Sequence, residues 1–579
     1  MERRTFLTSA GALGLLSSFV PLKANSAWFV NGHTSLTGRG EPLQTESADL
    51  SPYTGAWGDT QLRHLLRRAM FGVPQSQFDA AKALGSMNAV VSKLLEAQDV
   101  NKVPLPPPPA SWVNGLPTDP KVSDPGGAVN LNRLYNTRIV EIGNWWFDLM
   151  VQENLSIREK MTLLWTNHFV TGSLTVQHPG YMYTYLQTCR QYALGNFKNF
   201  AYAISIDPAM LIYLNGNQNY IVGTKSYANE NYARELMELF TLGILDPKTG
   251  LPNYTETDIQ NSARALTGWK PTVKAPFIGW LQNGVNTNPD TGTVPQNEHD
   301  TGTKTFLGQT GNWGLQDILN IIFQQGTPPG YTSAYFVCQK LYEEFVYYIP
   351  NPSVVDAMAQ LMLANNFEIA PVMQALLTSA HFYDPNVIGA QLKSPAMYAG
   401  SLVREFGLTY PAFDPTDPPI KSTDPNTHYN TYTDTNPTLT LITQVIMANA
   451  GGQQLLNPPN VKGWPGGHNW ISTGTFQARE SESYIALNNG YVNTKSNINL
   501  AFNADMYARQ IQNAAGLSSQ ALSQALEDLS LAFTLGPLEA GDLQKDISAT
   551  YPDPNYKYDP TDVKGFAVYL TSLPEFQLY

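Results

Sequence analysis

The sequence predicts a mainly α fold, one large multi-helix globular body with long Gly/Pro/Asn-rich loops and little strand. Three observations lead there. Apolar residues return at helical spacing in segment after segment, most clearly in NENYARELMELFTLG, where Tyr232, Ala233, Leu236, Leu239 and Phe240 recur while Asn231, Arg234, Glu235 and Glu238 fall on the opposite side. Start and stop signals bracket these segments: Asn229 stands where a cap is needed, Glu230 puts negative charge in the positive first turn, and Gly243 supplies a left-handed stop. Finally, 44 Gly and 41 Pro accompany 42% hydrophobic and only 14% charged residues, a balance that gives long ordered loops on a helical frame rather than disorder. A chain of 579 residues can bury a large core.

In chain order, residues 1–27 read as a twin-arginine signal peptide: Arg3-Arg4-Thr5-Phe6-Leu7, a mild apolar region, then Ala24-Asn25-Ser26-Ala27. An ordinary secretory signal with two arginines is the alternative. Either way the mature chain is expected in the periplasm or outside the cell, in the first case through the twin-arginine export machinery. Removing Glu2, Arg3, Arg4 and Lys23 takes away a net +2 from a formal charge of −12 and leaves −14. No Cys follows the apolar region to carry a lipid, and no later run is long enough to span a bilayer. The acidic balance, without a basic stripe, argues against nucleic acid as a partner.

Residues 28–58 are polar and suggest an arm or linker, residues 59–500 the main helical domain, and residues 501–579 C-terminal helices packed on it. Within the main domain a helix opens at Asp59 and stops at Gly72, its HLLRRAMFG placing His64, Arg67 and Arg68 beside an apolar stripe. Helices over 76–84 and 88–97 follow, then VPLPPPP, which must be extended polyproline. Trp145 and Trp146 give large apolar area to a helix over 130–152. Ser156 and Glu159 form a capping box before IREKMTLLWTNHFV, and His168 lies on that helix's inward face. After helices over 181–194 and 197–205, Thr255 and Asp258 open the second arm of a helical hairpin, which Gly268 ends. The aperiodic stretch 270–314 holds Glu298-His299-Asp300, and a long loop inside a compact chain is often functional. Helices resume over 315–323, 334–347, 354–364, 369–379, 395–406 and 438–447, and the turn region LLNPPNVKGWPGGHNWI carries Lys462 and Trp464. Two helices over 504–533 and one over 562–573 are expected in the tail. Cys189 and Cys338 sit among apolar residues as buried free thiols or as a pair, and without a CxxC neither a thioredoxin-like centre nor a c-type haem is indicated. No period of 20 to 50 residues is present, so a solenoid is not supported.

These residues resemble the bacterial domain of unknown function 1800 family. HLLRRAMFG, REKMTLLWTNHFV, YALGNFKNF with DPAMLIYLNGNQN, NENYARELMELFTLG, YTETDIQNSARALTGW, HDTGTKTFLGQTG, LKSPAMYAGSLVREFG and PPNVKGWPGG with Arg479 occur in the family's order, over most of the mature chain. The resemblance implies a largely helical exported protein and carries no established activity. Members often show two histidines around WTNHF, whereas Thr166 stands here at the first of those places.

No HExxH, GxSxG, SxxK, GxxxxGK[ST] or GxGxxG is present. What remains is a constellation. His168, Glu230, His299 and Asp300 are the residue types a divalent metal would take, with Glu235 and Glu238, three apart on one helix, as acid–base groups and Arg234 to orient an anion or a carboxylate. Asn231, Trp269, Lys462, Trp464 and Arg479 are the substrate-binding candidates. Each has a structural alternative: His168 as a satisfied core histidine, the 230–238 stripe as four-residue ion pairs, His299-Asp300 as a loop cap, and Lys462 with Trp464 as a turn anchor. The expected function is a metal-dependent hydrolase of an extracellular polysaccharide or cell-wall component. The alternatives are a non-catalytic surface or periplasmic scaffold whose Trp and Tyr residues stack on sugars, and, least favoured, a redox protein.

Overall fold

A computed structural model of the chain describes residues 42–96, 104–106, 113, 127–223, 225–272, 279–281, 298–411, 420–423, 430–433, 436–493, 498–502, 564–565, 567–568, 571–572 and 574–579. The signal peptide at 1–27 and the helices expected over 504–533 lie outside the described residues.

The fold is mainly helical. α1 Asp59–Ala69, α2 Gln75–Lys82 and α3 Met87–Leu95 lead to the long α4 Gly127–Gln152. α5 Arg158–His168, α6 Ser173–Val176, α7 Pro179–Gln191, α8 Phe197–Ser205 and α9 Pro208–Tyr213 follow. The hairpin of β1 Tyr220–Val222 and β2 Lys225–Tyr227 then introduces α10 Asn231–Glu235, which runs directly into a π-helical turn Leu236–Thr241 and is answered by α11 Glu256–Ala265. The remaining frame consists of α12 Leu315–Ile322, α13 Tyr331–Phe345, α14 Pro352–Ala364, α15 Ile369–Leu377, α16 Pro395–Glu405, α17 Pro437–Thr440, α18 Met447–Asn449 and α19 Thr473–Tyr484. Strands occur among the described residues as two-stranded antiparallel hairpins, such as Trp269–Pro271 against Gly279–Leu281 and Lys304–Phe306 against Gln309–Gly311.

Local chemistry explains the elements that frame the central hairpin. The Asn229 side chain accepts the Asn231 amide at 3.0 Å, and Gly243, at φ +75°, ends the π turn where a Cβ would press on the Phe336 ring. Thr255 and Asp258 make the expected reciprocal capping box. The capping box expected at Ser156 and Glu159 forms only in half. Ser156 accepts the Arg158 amide at 3.1 Å, but Glu159 turns inward to Arg190, 2.8 Å from its Nε, and to the Trp146 indole at 2.9 Å. A buried guanidinium outcompetes a backbone amide for that carboxylate, because two charge-assisted bonds replace one weaker bond.

One apolar cluster joins Leu65 of α1, Trp146 of α4, Trp165 of α5, Phe240 of the π turn, Leu341 of α13, Tyr398 of α16 and Phe576 near the chain's end. The final residues enter this core by strand-like pairing: Lys393 donates its amide to the Gln577 carbonyl at 2.8 Å and Tyr579 donates its own to Gln391 at 2.9 Å. Cys189 and Cys338 are both buried and free.

Candidate functional site

His168 is buried on α5 as the sequence suggests, but its surroundings are aromatic. Its ring packs among Trp165, Phe169, Phe197, Phe240 and Phe336, and Nε2 bonds the Phe240 carbonyl at 2.9 Å. Burial in this cage pushes His168 down to about 3, which keeps the imidazole neutral.

His299 and Asp300 sit together on a different wall. His299 Nδ1 lies 3.0 Å from the Thr267 carbonyl, beside Gly268, whose φ of +92° and close approach to the His299 backbone make any other residue there strained. Asp300 pairs with Arg264 at 2.8 Å and accepts the Gly302 amide at 2.8 Å. Burial acts to raise the Asp300 carboxyl, yet the Arg264 and Gly302 hydrogen bonds outweigh it and hold the group below its usual range. Glu230 lies 3.4 Å from Arg234 at the exposed start of α10. The predicted metal set of His168, Glu230, His299 and Asp300 therefore does not assemble. Among the described residues no three His, Cys, Asp or Glu side chains gather in a way that could hold a metal ion.

The two carboxylates of the central helix stay together. Glu235 closes α10 and Glu238 lies in the π turn, both half-buried. Burial first, and then the neighbouring Glu238, raise the Glu235 carboxyl above the usual range, while Lys462 and Arg234 pull it back. Glu238 accepts the Tyr254 hydroxyl at 3.3 Å, and Tyr254 is itself pushed up by burial and by Glu238. Tyr213, at the end of α9, is raised by burial and by the Glu235 charge. Arg234 is committed elsewhere, with Nη2 2.6 Å from Glu256 of α11.

Lys462 reaches this group because of a tight clamp. Asn167 of α5 accepts the Trp464 amide at 2.7 Å and donates to the Trp464 carbonyl at 3.2 Å. Gly463 between them, at φ +77°, lies so close to Asn167 that any Cβ would overlap the carboxamide. Trp464 is thus a buried anchor for the turn, and Lys462 is its exposed tip.

The other predicted binding residues are dispersed. Asn231 bonds Asn215 at 2.9 Å on the surface, and Trp269 lies half-buried in a two-stranded hairpin. Arg479 is fully enclosed, donating to the carbonyls of Ala450 and Lys393 and to the Gln577 side chain, so it ties the interior and meets no solvent-borne substrate. Sequence reasoning missed Tyr213 and Tyr254. The second was within reach: the 243–253 turn reverses the chain, with Asn253 donating its amide to Ile244, so the residue before the α11 cap must lie beside the last turn of the first arm.

What the cluster can do is move protons. It offers a carboxyl that holds its proton more firmly than usual, a second carboxylate steadied by a phenol, and an ammonium nearby. A family model described as Protein of unknown function (DUF1800) matches residues 64–578. No curated protein and no solved structure matches the chain. No helix among the described residues is long and apolar enough to cross a membrane.

Proposed function

The chain belongs to the DUF1800 family, and from that premise we propose that Glu235 and Glu238 are the acid–base pair of an exported hydrolase acting on an extracellular or cell-wall polymer. The supporting observation is the condition of Glu235: half-buried, accepting no hydrogen bond from any described residue, and raised first by burial and then by a second carboxylate beside it. Glu238, already accepting the Tyr254 hydroxyl, takes a proton from the attacking water. The water oxygen bonds to the reacting carbon, and the bond to the leaving oxygen breaks as Glu235 hands over its proton. The Lys462 charge acts on Glu235 and favours its carboxylate once the proton has left. The residues predicted for a metal are dispersed, and no step passes through one. Export rests on the Arg3-Arg4-Thr5-Phe6-Leu7 signal.

Purified protein incubated with cell-wall polysaccharide is expected to release new reducing ends. Glu235→Gln and Glu238→Gln should each slow that release by about a hundredfold or more while the circular dichroism spectrum stays unchanged. Equal rates in the wild type and both folded variants would end the hydrolase reading.

A second reading, a non-catalytic glycan-binding scaffold, is favoured by one feature. On the β1–β2 hairpin, Tyr220 and Tyr227 stack with centroids 5.2 Å apart, with Lys270 and Lys225 each 4.8 Å from a ring. Aromatic faces of this kind recognise sugars by stacking. Polymer retention lost in a Tyr220→Ala/Tyr227→Ala double variant and kept in the glutamine variants, with no bond cleavage in any, selects the scaffold.

A further inference from the structure

A second cluster of charges lies inside the body, where α1, α16 and α19 meet the segment before α16 and the end of the chain. Arg67, Lys393, Glu405 and Arg479 are all enclosed, with exposures of 2, 1, 7 and 0%. Arg479 is satisfied by three protein acceptors. The other two cations are not. Arg67 presents its Nε side to Glu405 at 3.5 Å, and that carboxylate oxygen also accepts the Val73 amide at 3.3 Å. The outer edge of the guanidinium, Nη1 and Nη2, has no acceptor among the described residues, and neither has Lys393 Nζ. Lys393 instead lies 3.9 Å from the centroid of the Phe576 ring, a contact that uses one face of the ammonium and leaves its N–H bonds unmatched.

The charge count is as one-sided as the hydrogen bonding. Arg67 pairs with Glu405, and Lys393 feels that one carboxylate against two guanidinium groups, Arg67 and Arg479. Burial pushes Lys393 down to about 7, and Glu405 does not make up the difference against Arg67 and Arg479. Buried N–H donors find acceptors almost without exception, and a guanidinium end edge with two parallel donors matches the geometry of a small anion.

We propose that the Nη1/Nη2 edge of Arg67 and Nζ of Lys393 together hold a small inorganic anion, a halide or a tetrahedral oxyanion, inside the protein. The anion joins α1 to the segment leading into α16 and completes a cationic cluster that the chain's own carboxylates leave short. Glu405, whose second oxygen also lacks a partner, is the group that opposes it. This site is separate from Glu235 and Glu238, and its test does not depend on any activity.

Two measurements on wild-type protein distinguish the two sources of anion. Crystals grown with bromide in place of chloride should give an anomalous peak within about 3.5 Å of Arg67 Nη and Lys393 Nζ. Exhaustively dialysed protein, denatured and passed over an ion-exchange column, should otherwise release about one sulfate or phosphate per chain. Either result supports the site. Density that refines only as water, with no bromide peak and no oxyanion released, overturns it. Lys393→Met should lose the anion, and Glu405→Gln should bind it more tightly, read as a larger rise in melting temperature with added salt of that anion. A melting temperature equally insensitive in wild type and Glu405→Gln counts against the site even where Lys393→Met does not fold.

Discussion

Two buried residues with opposite proton preferences show how individual groups shape the dependence of stability on pH. His168 is held near 3, well below an ordinary histidine at 6.5, because its aromatic cage penalises the charged ring. The unfolded chain therefore binds a proton that the folded chain refuses, so its contribution to stability is complete above about 6.5 and is lost as pH falls toward 3, at about 1.4 kcal/mol per pH unit. Asp207 behaves the other way. It caps α9 by accepting the Ala209 amide at 2.9 Å and also meets Thr188, yet burial pushes it up to about 7 from 3.8. Folding favours its neutral form, a contribution complete below about 3.8 and lost as pH rises through 7. Asp207→Asn keeps an oxygen for the cap and removes the charge. Unfolding free energies from urea titration of this variant should exceed those of the wild type by about 4 kcal/mol at pH 7 and converge at pH 4. A constant difference across that range would mean that Asp207 is ionised in the fold. His168→Phe should in the same way flatten the acid limb between pH 6 and 4.

The central hairpin shows how much of an element the sequence makes legible. The amphipathic stripe, the Asn229 side chain at the helix start, the Gly243 stop and the Thr255–Asp258 box are all readable, because each is decided by residues within a turn of one another. The π turn is not readable, since it adds one residue to a turn without altering the composition. The companions of Glu235 are harder still: Lys462 arrives from more than two hundred positions away, through a clamp on Asn167. The metal set failed on the same ground. His168 is correctly turned inward, but what it meets is the carbonyl of Phe240, a partner with no side-chain signature. The clamp can be tested directly. Gly463→Ala puts a Cβ into the Asn167 carboxamide at a positive φ, and should cost about 2 kcal/mol or more in urea denaturation. It should also raise the Glu235 pKa, because the displaced lysine no longer opposes Glu238. An unshifted Glu235 titration in the folded variant would show that Lys462 does not act on the pair.

At the scale of the whole molecule, the described residues share a core that the chain's last residues help to fill. Phe576 is fully enclosed between Tyr398 of α16 and Phe406 just past that helix and lies against Lys393, while Tyr579 meets Lys160 of α5 at 3.1 Å and lies 4.9 Å from the Arg68 guanidinium of α1. Segments more than five hundred residues apart in the chain therefore pack into one another, and neither can be loosened without uncovering buried charge on the other. Removing the Phe576 ring leaves a cavity and also strips Lys393 of its one aromatic contact, so the loss exceeds what apolar area alone would give. Phe576→Ala is expected to cost about 3–5 kcal/mol. If the core unfolds as one unit, the variant shifts the unfolding transition seen by tryptophan fluorescence, to which the core residues Trp146 and Trp165 contribute, by as much as the transition seen by circular dichroism. Two separated transitions, with the tryptophan signal unmoved, would show instead that the C-terminal segment rests on a body stable without it.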